Sequence, residues 1–413
     1  MRTIICDISA LEYHSTPPVV RGAWLAESRL APELRTLSLQ RARSSKLEEA
    51  RIVRRNLLGV LKAVSLPVHV LSSATSHEST QLLQWHRFAS HPEPDELIHI
   101  GEDLFVTSPL LTLRHLSRRI GMLHLLRLMF EMCGLFAISV ETRRSRLALD
   151  DLEREGCLAS GGPKWAAFYD CEGIPLSFPS ASDSSTLWSP CRGGDGARTS
   201  LWKRPPLLSA ASIADYATRI ALERGTSDFV RASRLVQPGS GSPKETDMAL
   251  SLCLPRRLGG EGLAWYKCNR MVALSTEAAR SIGSDVCVLD GSWDADARAW
   301  QRNMSPRMAR AKARGHGLPV LPVSIEVDGA GFHSAHESIV RDRMRQTALA
   351  QMGLDAISVT PAQLGSSASW DAFVHVLAER LGITLPDRTE RFVWQRRRLR
   401  EVLLGRDPLG RYW

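Results

Sequence analysis

Long uninterrupted apolar runs are missing from this chain. Its most apolar stretch, residues 120–140, is broken by His124, Arg127 and Glu131. A membrane-spanning helix needs about 20 consecutive apolar residues, so the stretch reads as a buried helix. No leader is expected, because MRTIICDISALEYH sets Asp7 and Glu12 where a signal peptide needs an unbroken apolar segment. The expected location is cytoplasmic, with no membrane partner. Paired cysteine spacing is absent: the eight cysteines include no Cys-x-x-Cys and no regular interval. That speaks weakly for a zinc module and for a secreted disulfide framework alike. No internal repeat is visible. Aromatic platforms for nucleic acid are lacking as well, the one feature that favours an interaction module with no nucleic-acid role.

What is present is size and basic charge. At 413 residues the chain exceeds one ordinary core, and two or three domains are the default. Hydrophobic content of 44% and charged content of 23% belong to a globular protein. The net charge of +9 hints at a polyanionic partner. Arg302, Arg307, Arg310, Lys312 and Arg314 form a segment with no acid among them, and Arg391, Arg396, Arg397, Arg398 and Arg400 form a second cluster. Each is either a phosphate contact or an ordinary solvated face.

Local patterns then order the chain. Ile4 to Ile8 is a short apolar start, residues 44–62 are helical, and LPVHVLSS (66–73) reads as a strand. Residues 103–120 read as a strand, a Ser108-Pro109 helix start and an amphipathic helix. Residues 158–200 are rich in Gly, Ser and Pro and suggest a loop-rich linker. A helical segment around 207–235 precedes QPGSGSP at 237–243, the clearest break. Ser242, Pro243 and Glu245 then form a capping box for a helix through Leu254. Strands are expected at 284–290, 320–328 and 355–360, with a helix from Glu337 to Met352. That helix carries Val340, Met344, Ala348 and Met352 on one stripe and Glu337, Arg341 and Arg345 on another.

The stretch VLPVSIEVDGAGFH (320–333) carries the most chemistry. Val323, Ile325 and Val327 alternate with Ser324, Glu326 and Asp328. Two carboxylates on one strand edge repel unless a cation, a proton or a basic residue lies between them. Oxygen ligands suit a hard ion such as Mg²⁺. The bland alternative is a solvated strand face ending in an Asp-Gly turn.

The runs at 242–263, 283–290, 325–333 and 341–353 together resemble an actinobacterial endonuclease-domain family related to the very-short-patch repair nucleases and the PD-(D/E)XK superfamily. The likeness covers roughly residues 205–365. Residues 67–113 are similar, more loosely, to the abortive-infection AbiEi-type proteins. The resemblance implies a metal-dependent phosphodiesterase core using Mg²⁺ or Mn²⁺, with DNA as partner. It assigns Asp285 and Glu326 as ion ligands, with Glu245 completing the site and Asp328 and His333 in the catalytic group. Asp290 is a rival for Asp285, since the two lie too far apart along a strand to share one ion. Glu245 is a ligand or only a capping residue. His333 is a proton shuttle or a polar residue at a helix start. Arg310, Lys312 and Arg314, with Arg341 and Arg345, are the candidate DNA contacts, though Glu337 and Arg341 make an ordinary ion pair equally well. Asp328 stands where the superfamily wants lysine, and 40 residues separate Asp285 from Glu326, more than the compact spacing expected.

The expected fold class is therefore α/β: a C-terminal restriction-endonuclease-like domain, a mixed sheet flanked by helices, beside a separate mixed α/β N-terminal domain. The divisions are 1–150 for the AbiEi-like unit, 151–204 for a loop-rich linker and 205–240 for a helical connector. Residues 241–365 form the nuclease-like domain and 366–413 a basic helical tail. The expected function is a DNA endonuclease in defence or repair. The alternative is a non-catalytic DNA-binding regulator or antitoxin-like protein that keeps a degenerate nuclease fold.

Overall fold

A computed structural model describes residues 2–26, 44–72, 80–87, 92–158, 188–284, 286–293, 323–327, 336–351 and 354–405. The protein is mixed α/β. The apolar start forms β1 (Thr3–Ile5) and leads into α1 (Asp7–Ser15) and α2 (Pro18–Gly22). After α3 (Ser44–Asn56) come β2 (Val68–Ser72), β3 (Leu83–Arg87), β4 (Leu97–Gly101) and β5 (Leu104–Thr107). The five strands make one mixed sheet in the order β3-β2-β1-β5-β4. Alternation drives this sheet: Val68, Val70, Leu83 and Trp85 join Ile5 and Val106 in a core, which leaves His69 and His86 to the opposite face.

Ser108 caps α4 (Pro109–Leu116), its Oγ accepting the Leu111 N–H at 3.3 Å with Pro109 at the first helical position. The apolar stretch becomes α5 (Met122–Cys133), buried almost all round, and then β6 (Phe136–Ile138). Among the described residues no helix is long and apolar enough to cross a membrane. Next come α6 (Arg143–Arg154), β7 (Ser189–Arg192) and β8 (Arg198–Lys203). The expectation of a loop-rich linker over 151–204 is corrected at both ends: α6 runs into it, and β7 and β8 close a sheet with β6 in the order β6-β8-β7. The reason is Trp188 and Trp202, which pack with Ala137, Leu149 and Val20 into a small core that overall composition conceals.

The remaining elements are α7 (Ala210–Arg219), α8 (Ser227–Ser233), α9 (Pro243–Cys253), β9 (Lys267–Ala273), α10 (Thr276–Ile282), β10 (Val286–Trp293), β11 (Val323–Val327), α11 (His336–Gln351), β12 (Asp355–Val359), α12 (Pro361–Gly365), α13 (Ser367–Arg380) and α14 (Glu390–Leu404). Their sheet has the order β12-β11-β10-β9. Strands β9, β10 and β11 run antiparallel, whereas β11 and β12 are parallel and joined through α11. Both sides of β11 are covered, for Ser324 and Glu326 are as buried as Val323 and Ile325. The solvated-face reading of this strand is thereby excluded.

One apolar core joins Met129 and Phe130 of α5 to Met248 and Leu252 of α9, Ile325 of β11, Trp370 of α13 and Leu399 of α14. The QPGSGSP stretch is thus a turn within a shared core. A polar clamp reinforces it. Arg127, fully buried on α5, donates to the carbonyls of Val402 and Leu403 at 2.8 and 3.2 Å and pairs with the buried Asp247 at 3.1 Å. The basic cluster of α14 divides. Arg396 turns inward to Asp371 and Glu261, while Arg391, Arg397 and Arg398 face solvent.

Candidate functional site

The site begins where the chain enters α9. Ser242 accepts the Glu245 N–H at 3.2 Å. Glu245 does not return the bond to Ser242, so the reciprocal capping box is corrected by one residue. Its Oε2 instead accepts from the Gly241 N–H at 2.6 Å and from Asn269 Nδ2 at 2.5 Å. Gly241 permits the approach, since a Cβ there would lie 3.0 Å from the Asn269 amide and 3.1 Å from the Glu245 carboxylate. Asn269 meets the helix from β9 with a left-handed backbone, φ 48°, which asparagine tolerates better than most residues. Lys203 Nζ donates to the Gly241 carbonyl and brings a positive charge from β8.

The second part is the β10–β11 ladder. Gly291 pairs with Ile325, Ser292 with Ser324 and Trp293 with Val323. Carried one residue further, that register sets Asp290 opposite Glu326. The Val327 N–H donates to Asp290 Oδ2 at 2.8 Å and fixes the carboxylate at the end of the ladder. Burial, then the negative charge of Glu245, push the Asp290 carboxyl up from 3.8 to about 7, against the pull of the Val327 N–H, Arg345 and Lys203. Two residues along each strand, the hydroxyls of Ser292 and Ser324 are buried with no hydrogen-bond partner.

Arg345 of α11 closes the group. Its Nη2 lies 2.8 Å from Glu326 Oε2 and also donates to the Val288 carbonyl, while Nε reaches Cys287 Sγ at 3.1 Å. Burial would lower the guanidinium's pKa, but Glu326, Cys287 and Asp290 together hold it above its ordinary value. The buried stripe of α11 therefore runs through Arg345, Ala348 and Leu349, with Met344 exposed. The apolar stripe expected through Met344 is corrected, because a carboxylate on the neighbouring strand outweighs one methionine's burial.

No family model, curated protein or solved structure matches the chain. The site thus rests on its own geometry. Of the residues singled out from sequence, Glu326 and Arg345 pair across β11 and α11, and Glu245 lies near enough to Asp290 to raise its carboxyl. Asp285, Asp328, His333, Arg310, Lys312 and Arg314 lie outside the described residues, as does the side chain of Arg341. Asp290, the second choice in the sequence, is the aspartate set beside Glu326. Asn269 and Lys203 were not foreseen. Asn269 carries no signal of its own, and Lys203 falls in the stretch taken for a linker.

Asp290 feels the charge of Glu245 and Glu326 is paired with Arg345, but the three carboxylates do not form a closed trio. Among the described residues, the one group of three whose ligand atoms all lie within 4.8 Å of one another is Asp7, His69 and His86. What Glu245, Asp290 and Glu326 offer is an all-oxygen set with two cationic side chains, Lys203 and Arg345, at its margins. Such a set can hold a hard divalent ion through one or two carboxylates, the remaining positions going to water or substrate.

Proposed function

We propose that the chain is a metal-dependent DNA endonuclease, its site formed by Asp290 and Glu326 with Glu245 behind them and Mg²⁺ or Mn²⁺ as the ion. The observation that carries this reading is the Asp290 carboxylate, bonded to the Val327 N–H next to Glu326 and with its carboxyl raised to about 7 by burial and by Glu245. A buried carboxylate pushed upward beside a second carboxylate is the electrostatic pattern that a bound cation relieves. The element order supports it too. A helix, a strand, a short helix, two strands that extend the antiparallel ladder, a helix and a fourth strand parallel to the third are consistent with the restriction-endonuclease-like architecture that the sequence resemblance implies. The two unpartnered hydroxyls of Ser292 and Ser324 add oxygen donors to the same face.

A bound ion would supply charge for the phosphate and activate water. The chain's own groups have separate work. Asp290, oriented by the Val327 N–H, would hold the ion in its ionised form. Arg345 fixes Glu326 and places positive charge next to where a phosphate would approach. The net charge of +9 favours a polyanion such as DNA.

One observation favours the second reading, a non-catalytic DNA-binding regulator. Arg345 already neutralises Glu326 at 2.8 Å, which is what a protein that has lost its ion would need. Supercoiled plasmid separates the two. Wild-type protein with Mg²⁺ or Mn²⁺ should nick or linearise it, and Glu326→Gln should abolish cleavage while leaving DNA affinity within about twofold, since one neutralised carboxylate makes no phosphate contact. Binding without cleavage under Mg²⁺, Mn²⁺ and Ca²⁺ alike would establish the regulator. Cleavage that survives Glu326→Gln would put the site elsewhere.

A further inference from the structure

The N-terminal sheet holds a second polar cluster, well away in sequence from the carboxylates above. Strands β2 and β3 are parallel, with His69 opposite Gln84 and Leu71 opposite His86. Both histidines alternate with residues committed to the core, namely Val68, Val70, Leu83 and Trp85, so they share the opposite face. Strand β1 runs antiparallel to β2, and the Cys6 N–H donates to the His69 carbonyl at 2.9 Å. The next residue, Asp7, opens α1 with a left-handed backbone, φ 55°. That conformation is uncommon for a residue other than glycine. Here it carries the carboxylate to the two imidazoles, and the His69 N–H is held in turn by Ser9 Oγ at 2.9 Å.

Three ligand-type atoms meet there. His69 Nδ1 lies 2.8 Å from His86 Nε2 and 3.6 Å from Asp7 Oδ1. All three atoms fall within 4.8 Å of one another. The rings are nearly parallel, with centroids 4.8 Å apart and 21° between planes. Two imidazole nitrogens and a carboxylate oxygen are a recurrent donor set for a divalent ion of the zinc type, with the fourth position left open. With metal–nitrogen bonds of about 2.0–2.1 Å, neighbouring ligand atoms of a tetrahedral site stand about 3.3 Å apart. The 2.8 Å and 3.6 Å separations bracket that edge, and the third lies within 4.8 Å. Asp7 is also held by the Ile8 N–H at 2.8 Å and by Arg119. The backbone bond is the kind of outer support that orients a ligating carboxylate. Arg119 is a competitor for the same oxygen.

We infer that Asp7, His69 and His86 form a binding site for a zinc-type divalent transition ion, distinct from the Mg²⁺ or Mn²⁺ site proposed above and independent of it. The set is nitrogen-rich where the other is all oxygen, so the two differ in the ion they select.

The test is titration of chelator-treated, full-length protein with Zn²⁺ by calorimetry and with Co²⁺ by visible absorption. Wild type should take up one equivalent with the ligand-field bands of a low-coordinate nitrogen–oxygen site. His86→Gln and His69→Ala should each weaken that equivalent by more than about a hundredfold, the upper range for losing even an outer support. His86 is partly exposed, so His86→Gln keeps the test readable if His69→Ala fails to fold. The equivalent should persist in the Asp290→Asn, Glu326→Gln double variant. Arg119→Gln should tighten it by up to about fivefold, the upper end for releasing a partly exposed ion pair. Wild-type protein that takes up no equivalent, or a folded His86→Gln that binds as wild type does, overturns the assignment. So does an equivalent that disappears with Asp290 and Glu326.

Discussion

Replacing Asp290 by asparagine should make the protein more stable at neutral pH. In the folded chain burial and Glu245 move this carboxyl from 3.8 to about 7, so the folded state holds its proton over a range where the unfolded chain has released it. A group raised in this way loses stability as pH climbs from about 4 to about 7, and the loss is constant above that. At about 1.4 kcal/mol for each tenfold displacement of the equilibrium, the ceiling is about 4 kcal/mol. Asp290 retains some solvent contact, so roughly half that is the working expectation. Asparagine keeps an oxygen for the Val327 N–H, which now reaches Asp290 at 2.8 Å, and it has no charge to bury. Urea unfolding should therefore give nearly equal stabilities near pH 4.5 and a variant ahead of wild type by about 2 kcal/mol at pH 8. Mg²⁺ should narrow the gap at pH 8 by stabilising wild type alone. A variant no more stable than wild type at pH 8 would refute the electrostatic account of the site.

Further changes test the surrounding structure. Glu245→Gln keeps an acceptor for Gly241 and Asn269 but removes the charge facing Asp290, so the fall of stability with pH should end below pH 7 in the same urea series. Gly291→Ala would put a Cβ 2.6 Å from Tyr266 Cε2 and 2.8 Å from Ile325 Cγ1; denaturation should show a loss of about 1–3 kcal/mol, with the pH profile unchanged. Arg127→Met strands Asp247, which burial already pushes up to about 6 against the pull of Arg127. The loss should be about 3–5 kcal/mol at pH 8 and visibly smaller at pH 5, where Asp247 takes up a proton.

The sequence made some elements plain because local chemistry and packing agree there. Ser108-Pro109 starts α4 and Ser242-Pro243 starts α9, since each side chain supplies the cap and each proline needs no partner. Strand β11 was legible from its alternation. Strand β9 was not, for KCNRMVA interleaves Lys267, Asn269 and Arg270 with its apolar residues and bends at Asn269. Asp290 owes its position next to β11 to strand register, which a single strand does not reveal. The histidine cluster was hidden for another reason. Asp7, His69 and His86 are unremarkable where they stand, and only the pairing of β1, β2 and β3 brings them together.

The clamp at Arg127 also bears on the order in which the molecule can be completed. Its partners in α14 lie 275 and 276 residues downstream, among the longest loops the fold has to close. Domains settle from the N-terminal side as a chain emerges, so α5 and α9 are made long before the carbonyls that complete their buried ion pair. Until those carbonyls arrive, Arg127 and Asp247 meet without their full set of partners, and α9 carries Glu245 along with it. The carboxylate site therefore reaches its final geometry late in synthesis. A ribosome stalled before residue 403 would hold a chain whose carboxylate cluster is made but not yet held in place.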